Sequence, residues 1–256
     1  MQASRVDGVG GWFLERKEFR EWSGGQGVSR HPVFFCYGHP GVGKTHIRSV
    51  RRLSKKWISL TAGNISSLVI DWLCDQVHTR DITVAGLYCD YKAQEELSAA
   101  NMLGAILNQL LERNGIPGPV RQAFRKEKRG FGGRVVQLEN LVKMLKTTVA
   151  SLPEVFICID GLDECLPKTR RELLESLKDI VLAWPTTRVF LSGRPHIQDE
   201  IVGFFSAATL ITVTPTIGDI ERFLEMRLGT DTTPKAMDDD LRAEIMRVIP
   251  RKISQM

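Results

Sequence analysis

Residues 33–45 read Val33-Phe34-Phe35-Cys36-Tyr37-Gly38-His39-Pro40-Gly41-Val42-Gly43-Lys44-Thr45, an apolar run that turns at once into a glycine-rich loop. Five apolar residues in succession suit a strand buried on both faces, as in a parallel sheet, rather than the alternation of a half-exposed strand. Residues 38–45 fit the pattern G-x-x-x-x-G-K-[ST], the P-loop. Glycines there let the backbone curl so that several N–H groups converge on phosphate oxygens, and the following helix adds its positive end. Gly38, His39, Pro40, Gly41, Val42, Gly43, Lys44 and Thr45 are therefore the candidate phosphate-binding residues. Lys44 would reach the β- and γ-phosphates and the Thr45 hydroxyl would ligate Mg²⁺. A purely structural glycine turn has no need of Lys-Thr after it.

Other strands and helices follow from the same logic. Val84 to Cys89, Val155 to Ile159, Val189-Phe190-Leu191 and Leu210 to Val213 read as further strands. Helices are expected from Leu97 to Arg113, stopped by Asn114-Gly115 and Pro117, from Leu138 to Val149, and from about Arg170 to Ala183. Asp219 to Leu228 and Asp240 to Ile249 close the chain as helices. Ahead of the first strand, Trp12, Phe13, Leu14, Phe19 and Trp22 recur near helical spacing and suggest a short amphipathic helix. Apolar strands alternating with helices argue for an α/β fold with helices on both faces of a parallel sheet.

A phosphate loop needs an acidic partner. Val155-Phe156-Ile157-Cys158-Ile159-Asp160 is an apolar strand ending in a carboxylate, followed by Gly161-Leu162-Asp163-Glu164. Asp160 would hold Mg²⁺, through water, at the end of the strand. Asp163 or Glu164 would orient and deprotonate an attacking water. Helix capping by an acidic turn explains one of these carboxylates but poorly explains three in five residues. Arg194, in Leu191-Ser192-Gly193-Arg194-Pro195, follows the next strand, at the carboxyl edge where open α/β sheets bind ligands. It would sense or stabilise charge on a γ-phosphate, unless it is simply a surface arginine in a proline turn.

Composition narrows the class. With 43% hydrophobic and 25% charged residues in 256, wholesale disorder is excluded. No apolar run approaches the roughly 20 residues of a bilayer span, and no secretory leader opens the chain. Five scattered cysteines without a C-x-x-C pair support neither a disulfide framework nor a zinc site, which fits a reducing, cytoplasmic setting. The net charge of +5 is uneven, since residues 1–60 hold 11 Lys/Arg against 4 Asp/Glu, and no acid occurs between Glu21 and Asp71. Such a field suits an anionic ligand or a solvated basic face. Most of the chain is not basic, which argues against nucleic acid.

The motifs together resemble the NACHT-type P-loop NTPases of the STAND class, most closely the fungal incompatibility-type proteins with a nephrocystin-3-like N-terminal domain. The likeness rests on Trp12-Phe13-Leu14 with Phe19 and Trp22, GHPGVGKT at 38–45 and Leu87-Tyr88-Cys89-Asp90-Tyr91. ICIDGLDEC at 157–165, FLSGRP at 190–195 and Asp219-Ile220 complete it. It implies a three-layer α/β fold with sheet order 5-1-4-3-2 and an ATP- or GTP-driven switch gating self-association or binding of other protein domains. The implied division is an N-terminal helix and linker over 1–30, the NTPase unit over 31–230, and the start of a truncated helical lid over 231–256.

Three departures from that pattern stand out. The stretch 46–63 precedes Ile65-Ser66-Ser67-Leu68-Val69-Ile70-Asp71-Trp72-Leu73, which itself looks like the helix expected after the loop, so 46–63 reads as an insertion of the kind a retained intron leaves. The chain stops inside the expected lid, and Gly193 stands where serine is common. Slow hydrolysis, a module that binds nucleotide without turnover, a small-molecule kinase and an inactive gene fragment are the competing expectations. The lack of an N-K-x-D guanine motif leans towards ATP.

Overall fold

The computed structural model describes residues 10–24, 31–38, 65–93, 98–122, 125, 137–214, 216–229 and 238–253. Residues 39–64, which include most of the glycine-rich loop and the suspected insertion, lie outside the described residues. The strands are β1 (Val33–Tyr37), β2 (Ile82–Tyr88), β3 (Glu154–Asp160), β4 (Thr187–Gly193) and β5 (Thr209–Thr212). They form one parallel sheet in the order β2-β3-β4-β1-β5, the order the resemblance implied read from its other edge.

Residue parity along the strands explains the three layers, because successive side chains point to opposite faces. Val33, Phe35, Val155, Ile157, Ile159, Val189 and Leu191 belong to one buried cluster. Phe34, Cys36, Phe156, Cys158 and Phe190 belong to the other. Burial on both faces is why these strands read as unbroken apolar runs. The first face is covered by α4 (Ala99–Asn114), α5 (Leu138–Ala150), α6 (Pro167–Ala183) and α7 (Gln198–Phe204). The second is covered by α1 (Gly11–Glu15), α2 (Lys17–Gly24) and α3 (Ile65–Gln76).

Element boundaries moved for local reasons. Helix α4 begins after Ser98, whose hydroxyl accepts the Asn101 N–H at 3.1 Å as an N-cap, and it ends at Gly115, where φ is +75°. Helix α6 starts at Pro167, earlier than Arg170, because proline suits the first helical position. The single N-terminal helix expected from the aromatic spacing is two helices, broken at Arg16, which is extended. Phe13 and Phe19 are six residues apart, so on one straight helix their directions would differ by about 120° and a continuous helix would not aim both at one spot. The break does, and Phe13 and Phe19 pack on Phe34 while Trp22 packs on Phe156 and Phe190.

Two polar anchors flank the sheet. At its amino-terminal edge Arg188, wholly buried, ion-pairs with Glu154, and Arg80 joins the same carboxylate at 2.8 Å. Burial, then the Arg80 charge, lowers the Arg188 pKa to about 10. At the other anchor Asp219 opens α8 (Ile217–Gly229) and accepts bonds from Gly10 N at 2.9 Å, Trp12 Nε1 at 2.8 Å and Thr216 Oγ1 at 2.7 Å. Burial opposes ionisation of Asp219, but those donors outweigh it and hold its pKa below the ordinary value. Helix α9 (Asp239–Ile253) follows. Among the described residues no helix is long and apolar enough to cross a membrane.

Removing one partner of a buried ion pair leaves an uncompensated charge, which costs more than replacing the pair. Glu154→Leu should therefore lose about 3 kcal/mol or more in urea unfolding, and adding Arg188→Leu should recover much of it. A double variant as unstable as the single one would show that the Arg188 charge is compensated elsewhere.

Candidate functional site

Polar groups gather where the strands end. In β3, Asp160 shares the parity of Phe156 and Cys158, so its side chain faces the α3 layer, and only 1% of the residue is exposed. A buried carboxylate needs donors. Ser66, in the first turn of α3, donates to Asp160 Oδ1 at 2.5 Å. Ser192, of matching parity on the neighbouring strand β4, donates to the same oxygen and accepts from Gly161 N at 3.1 Å. The Cys89 N–H donates to the Asp160 carbonyl at 2.9 Å. Asp160 is thus tied to α3, β4 and the end of β2. Neither serine was assigned a role from the sequence; the only signal was position, Ser192 two residues before Arg194 and Ser66 at the head of an apolar helix.

Gly161 then turns the chain away. Its φ of +70° lies in the left-handed region, and a Cβ there would come within 3.0 Å of the Cys89 carbonyl oxygen. The turn leads into a short 3-10 segment, Leu162–Glu164, pinned by the buried Leu162. This geometry separates the three carboxylates that the sequence groups together. Asp163 accepts the Arg194 N–H at 3.2 Å and pairs with Arg194 Nε at 3.0 Å. Glu164 accepts the Tyr91 N–H at 2.9 Å. Burial pushes the Glu164 carboxyl above its ordinary value, with Asp163 and Asp90 adding to this and Tyr91 N–H and Arg194 opposing it.

The topology explains why Arg194 stands here. Strand β4 lies between β1 and β3, and Tyr37 is in register with Gly193. The end of β4 therefore sits between the strand entering the glycine-rich loop and the strand bearing Asp160. Arg194 has a half-exposed side chain gripped by Asp163 through both guanidinium and backbone. At Gly193 a Cβ would meet Ile197 Cδ1 at 2.7 Å, so the absence of a side chain there is matched to Ile197.

The expected site residues divide in two groups. Asp160, Asp163, Glu164 and Arg194 come together at the carboxyl ends of β3 and β4. Gly38 directly follows β1 and is buried, whereas His39, Pro40, Gly41, Val42, Gly43, Lys44 and Thr45 lie outside the described residues. Among the described residues no three acidic, histidine or cysteine side chains converge on one cation position. The three carboxylates have different partners: Asp160 engages Ser192, Asp163 engages Arg194 and Glu164 engages the Tyr91 N–H. A carboxylate is the hard oxygen donor that suits Mg²⁺, and Asp160, Asp163 and Glu164 all supply one at this edge.

A five-stranded parallel sheet of this order, with a glycine-lysine loop after β1 and a buried aspartate ending β3, defines the P-loop NTPase fold. The chain belongs to the family described as Nephrocystin 3, N-terminal, whose model matches residues 8–194. Among solved structures it is similar to the Orc1 protein of Aeropyrum pernix in complex with DNA, at 18% identity and TM-score 0.50 over 84% of this chain and 49% of that one. It is also similar to a Walker-type ATPase of Pyrococcus abyssi, at 13% identity and TM-score 0.48 over 93% and 67%. The chain spans about half the length of the Aeropyrum protein. No protein of curated function matches the sequence.

Ser66→Ala and Ser192→Ala each delete a donor to a buried carboxylate and should each cost about 1–3 kcal/mol of stability. Because both act on one oxygen, the double variant should depart from additivity by about 0.5 kcal/mol or more in the same unfolding assay. Strict additivity would show that the serines act independently.

Proposed function

We propose that this chain binds Mg-nucleoside triphosphate, ATP or GTP, and hydrolyses it slowly as the switch module of a STAND-class, NACHT-type signalling protein of the self/non-self or incompatibility kind. The observation carrying the reading is the buried Asp160, fixed by Ser66 and Ser192 at the carboxyl edge, one strand removed from the strand that enters the glycine-lysine loop. In it, 31–230 is the nucleotide unit, 1–30 its N-terminal helical cover and 231–256 the start of a lid, all in the cytoplasm.

The residues take these roles. Gly38, His39, Gly41, Val42 and Gly43 supply backbone donors to the phosphates while Pro40, which has no N–H, shapes the loop; Lys44 supplies a charge for the β- and γ-phosphates, and Thr45 and Asp160 the ligands of Mg²⁺. The cation, when bound, neutralises charge on the phosphate oxygens. Glu164, with its raised pKa, orients water and takes its proton; Arg194 balances charge on the γ-phosphate. Asp163 is reassigned from water activation to holding Arg194, since both of its oxygens already engage that residue.

One observation favours a second reading, a module that binds nucleotide and turns it over negligibly. Glu164 rests on Tyr91 N–H and Arg194 on Asp163, so both groups needed for hydrolysis begin engaged elsewhere. Release of those contacts, by self-association or by other domains of a longer protein, would then license turnover. Duplex DNA is a partner to test alongside nucleotide, given the complex of the Aeropyrum protein.

Titration with fluorescent ATP and GTP analogues, with and without Mg²⁺, should give Mg²⁺-dependent binding that Lys44→Ala abolishes and duplex DNA leaves unchanged. Binding indifferent to both Mg²⁺ and Lys44→Ala would sink the reading. Glu164→Gln should keep binding and lose turnover by about a hundredfold or more. A base works only when deprotonated, so wild-type turnover should fall with decreasing pH through a value above the ordinary 4.5 of glutamate. A pH profile flat across that range would remove Glu164 as the base.

A further inference from the structure

Two thiols bracket the acidic turn, and no role above uses them. Cys89 follows β2, Cys165 follows Glu164, both are buried, and their sulfurs share a hydrogen bond at 3.2 Å. All five cysteines are free thiols. A disulfide has an S–S length near 2.05 Å, so the sulfurs need to approach by only about 1.2 Å. We propose that Cys89 and Cys165 are a reversible oxidation site, forming a disulfide on reaction with a hydroperoxide and so clamping the turn that carries Glu164.

The surroundings divide the work between the sulfurs. The hydrogen bond shared with Cys89, and then the nearby Arg170 guanidinium, pull the Cys165 pKa down against burial. Cys165 is thus the attacking thiolate and Cys89 the resolving thiol. Cys165 sulfur attacks a peroxide oxygen, the O–O bond breaks, and the leaving alkoxide takes a proton to depart as alcohol, or as water from hydrogen peroxide. Cys165 is now a sulfenic acid. Cys89 sulfur attacks it, the S–O bond breaks, and the hydroxyl leaves as water with the Cys89 proton. Two thiols and one hydroperoxide give one disulfide, one alcohol and one water. Leu166, next to Cys165, is about half exposed, so a small oxidant needs only a local opening of the turn.

The effect follows from what each cysteine is fastened to. Cys89 N–H is bonded to the Asp160 carbonyl, and Tyr91, two residues later, donates its N–H to Glu164. Cys165 adjoins Glu164, and its carbonyl accepts from Arg170 Nη1 at 3.1 Å; Arg170 in turn pairs with Glu200 at 2.7 Å. The disulfide would join the two backbone segments that make the Glu164–Tyr91 contact, one held by β3 and the other by α6. Oxidation therefore holds Glu164 on Tyr91 and prevents its delivery to water, and neither sulfur lies on β1, the strand that enters the glycine-rich loop. This last step rests on the hydrolysis reading above.

The test uses the full chain treated with hydrogen peroxide and digested without reductant for mass spectrometry. A Cys89–Cys165 linked peptide is expected, reversed by dithiothreitol and absent from Cys89→Ser and Cys165→Ser. Turnover should fall about tenfold or more on oxidation, with nucleotide affinity within about twofold, and both serine variants should resist the loss. Peroxide that oxidises the half-buried Cys74 while leaving the pair unlinked overturns the proposal; so does a linked peptide with unchanged turnover. A reduced chain that binds nucleotide but never turns it over counts against the hydrolysis reading instead. Hydrogen exchange at the Tyr91 amide then decides the clamp: slower exchange on oxidation supports it, and unchanged exchange overturns it.

Discussion

Burying both faces of a parallel sheet leaves polar chemistry no place except the strand ends, and this constraint organises the molecule. The middle of each strand is mostly apolar, with buried polar residues such as Thr83, Arg188 and Ser192 near the ends, and the two clusters divide strictly by residue parity. The chain meets the constraint differently at the two ends. At the amino-terminal edge Glu154 neutralises Arg188 with help from Arg80. At the carboxyl edge Asp160 is satisfied by neutral hydroxyls from Ser66 and Ser192. Asp160 is thus fixed by hydroxyl hydrogen bonds, whereas Glu154 at the opposite edge is fixed by ion pairs. The other end is closed by its own counter-charge and reads as structural.

The same comparison explains how the acidic turn works as a distributor. Gly161 reverses the backbone immediately after Asp160, so Asp163 and Glu164 leave in different directions. One carboxylate stays in the sheet, the second restrains the arginine of the next strand, and the third rests on the turn after β2. Residues adjacent in sequence therefore report to three separate elements. That arrangement couples any movement of β4's end to the position of Asp163, without requiring the sheet to deform.

Strands were legible in the sequence because double-sided burial writes itself as apolar runs, and Val33–Tyr37 and Glu154–Asp160 could be found that way. Their lateral order was legible only through family likeness, since nothing in an apolar run names its neighbour. The break at Arg16 was hidden because five aromatic and aliphatic residues in eleven fit helical spacing loosely in one helix or two. Ser66 and Ser192 were invisible because a serine in an apolar segment is chemically unremarked until a buried carboxylate is placed beside it. Arg188 was missed for the opposite reason: a charge at a strand's start looks like a boundary, not an interior group. Asp160, Asp163, Glu164 and Arg194 were found as a group, but their pairings depend on backbone direction at Gly161, which composition does not encode.

Asp219 gathers donors from Gly10, Trp12 and Thr216, so the residues that begin the described chain and those that follow β5 share one small knot. The helices hanging from residues 10–12 are also the lid over Phe34, Phe156 and Phe190. A tug on α8 would travel through this knot into the aromatic cover before straining any strand. Mechanical load arriving from beyond the sheet would thus be converted into loosening of an oily surface, the kind of signal that another polypeptide can read.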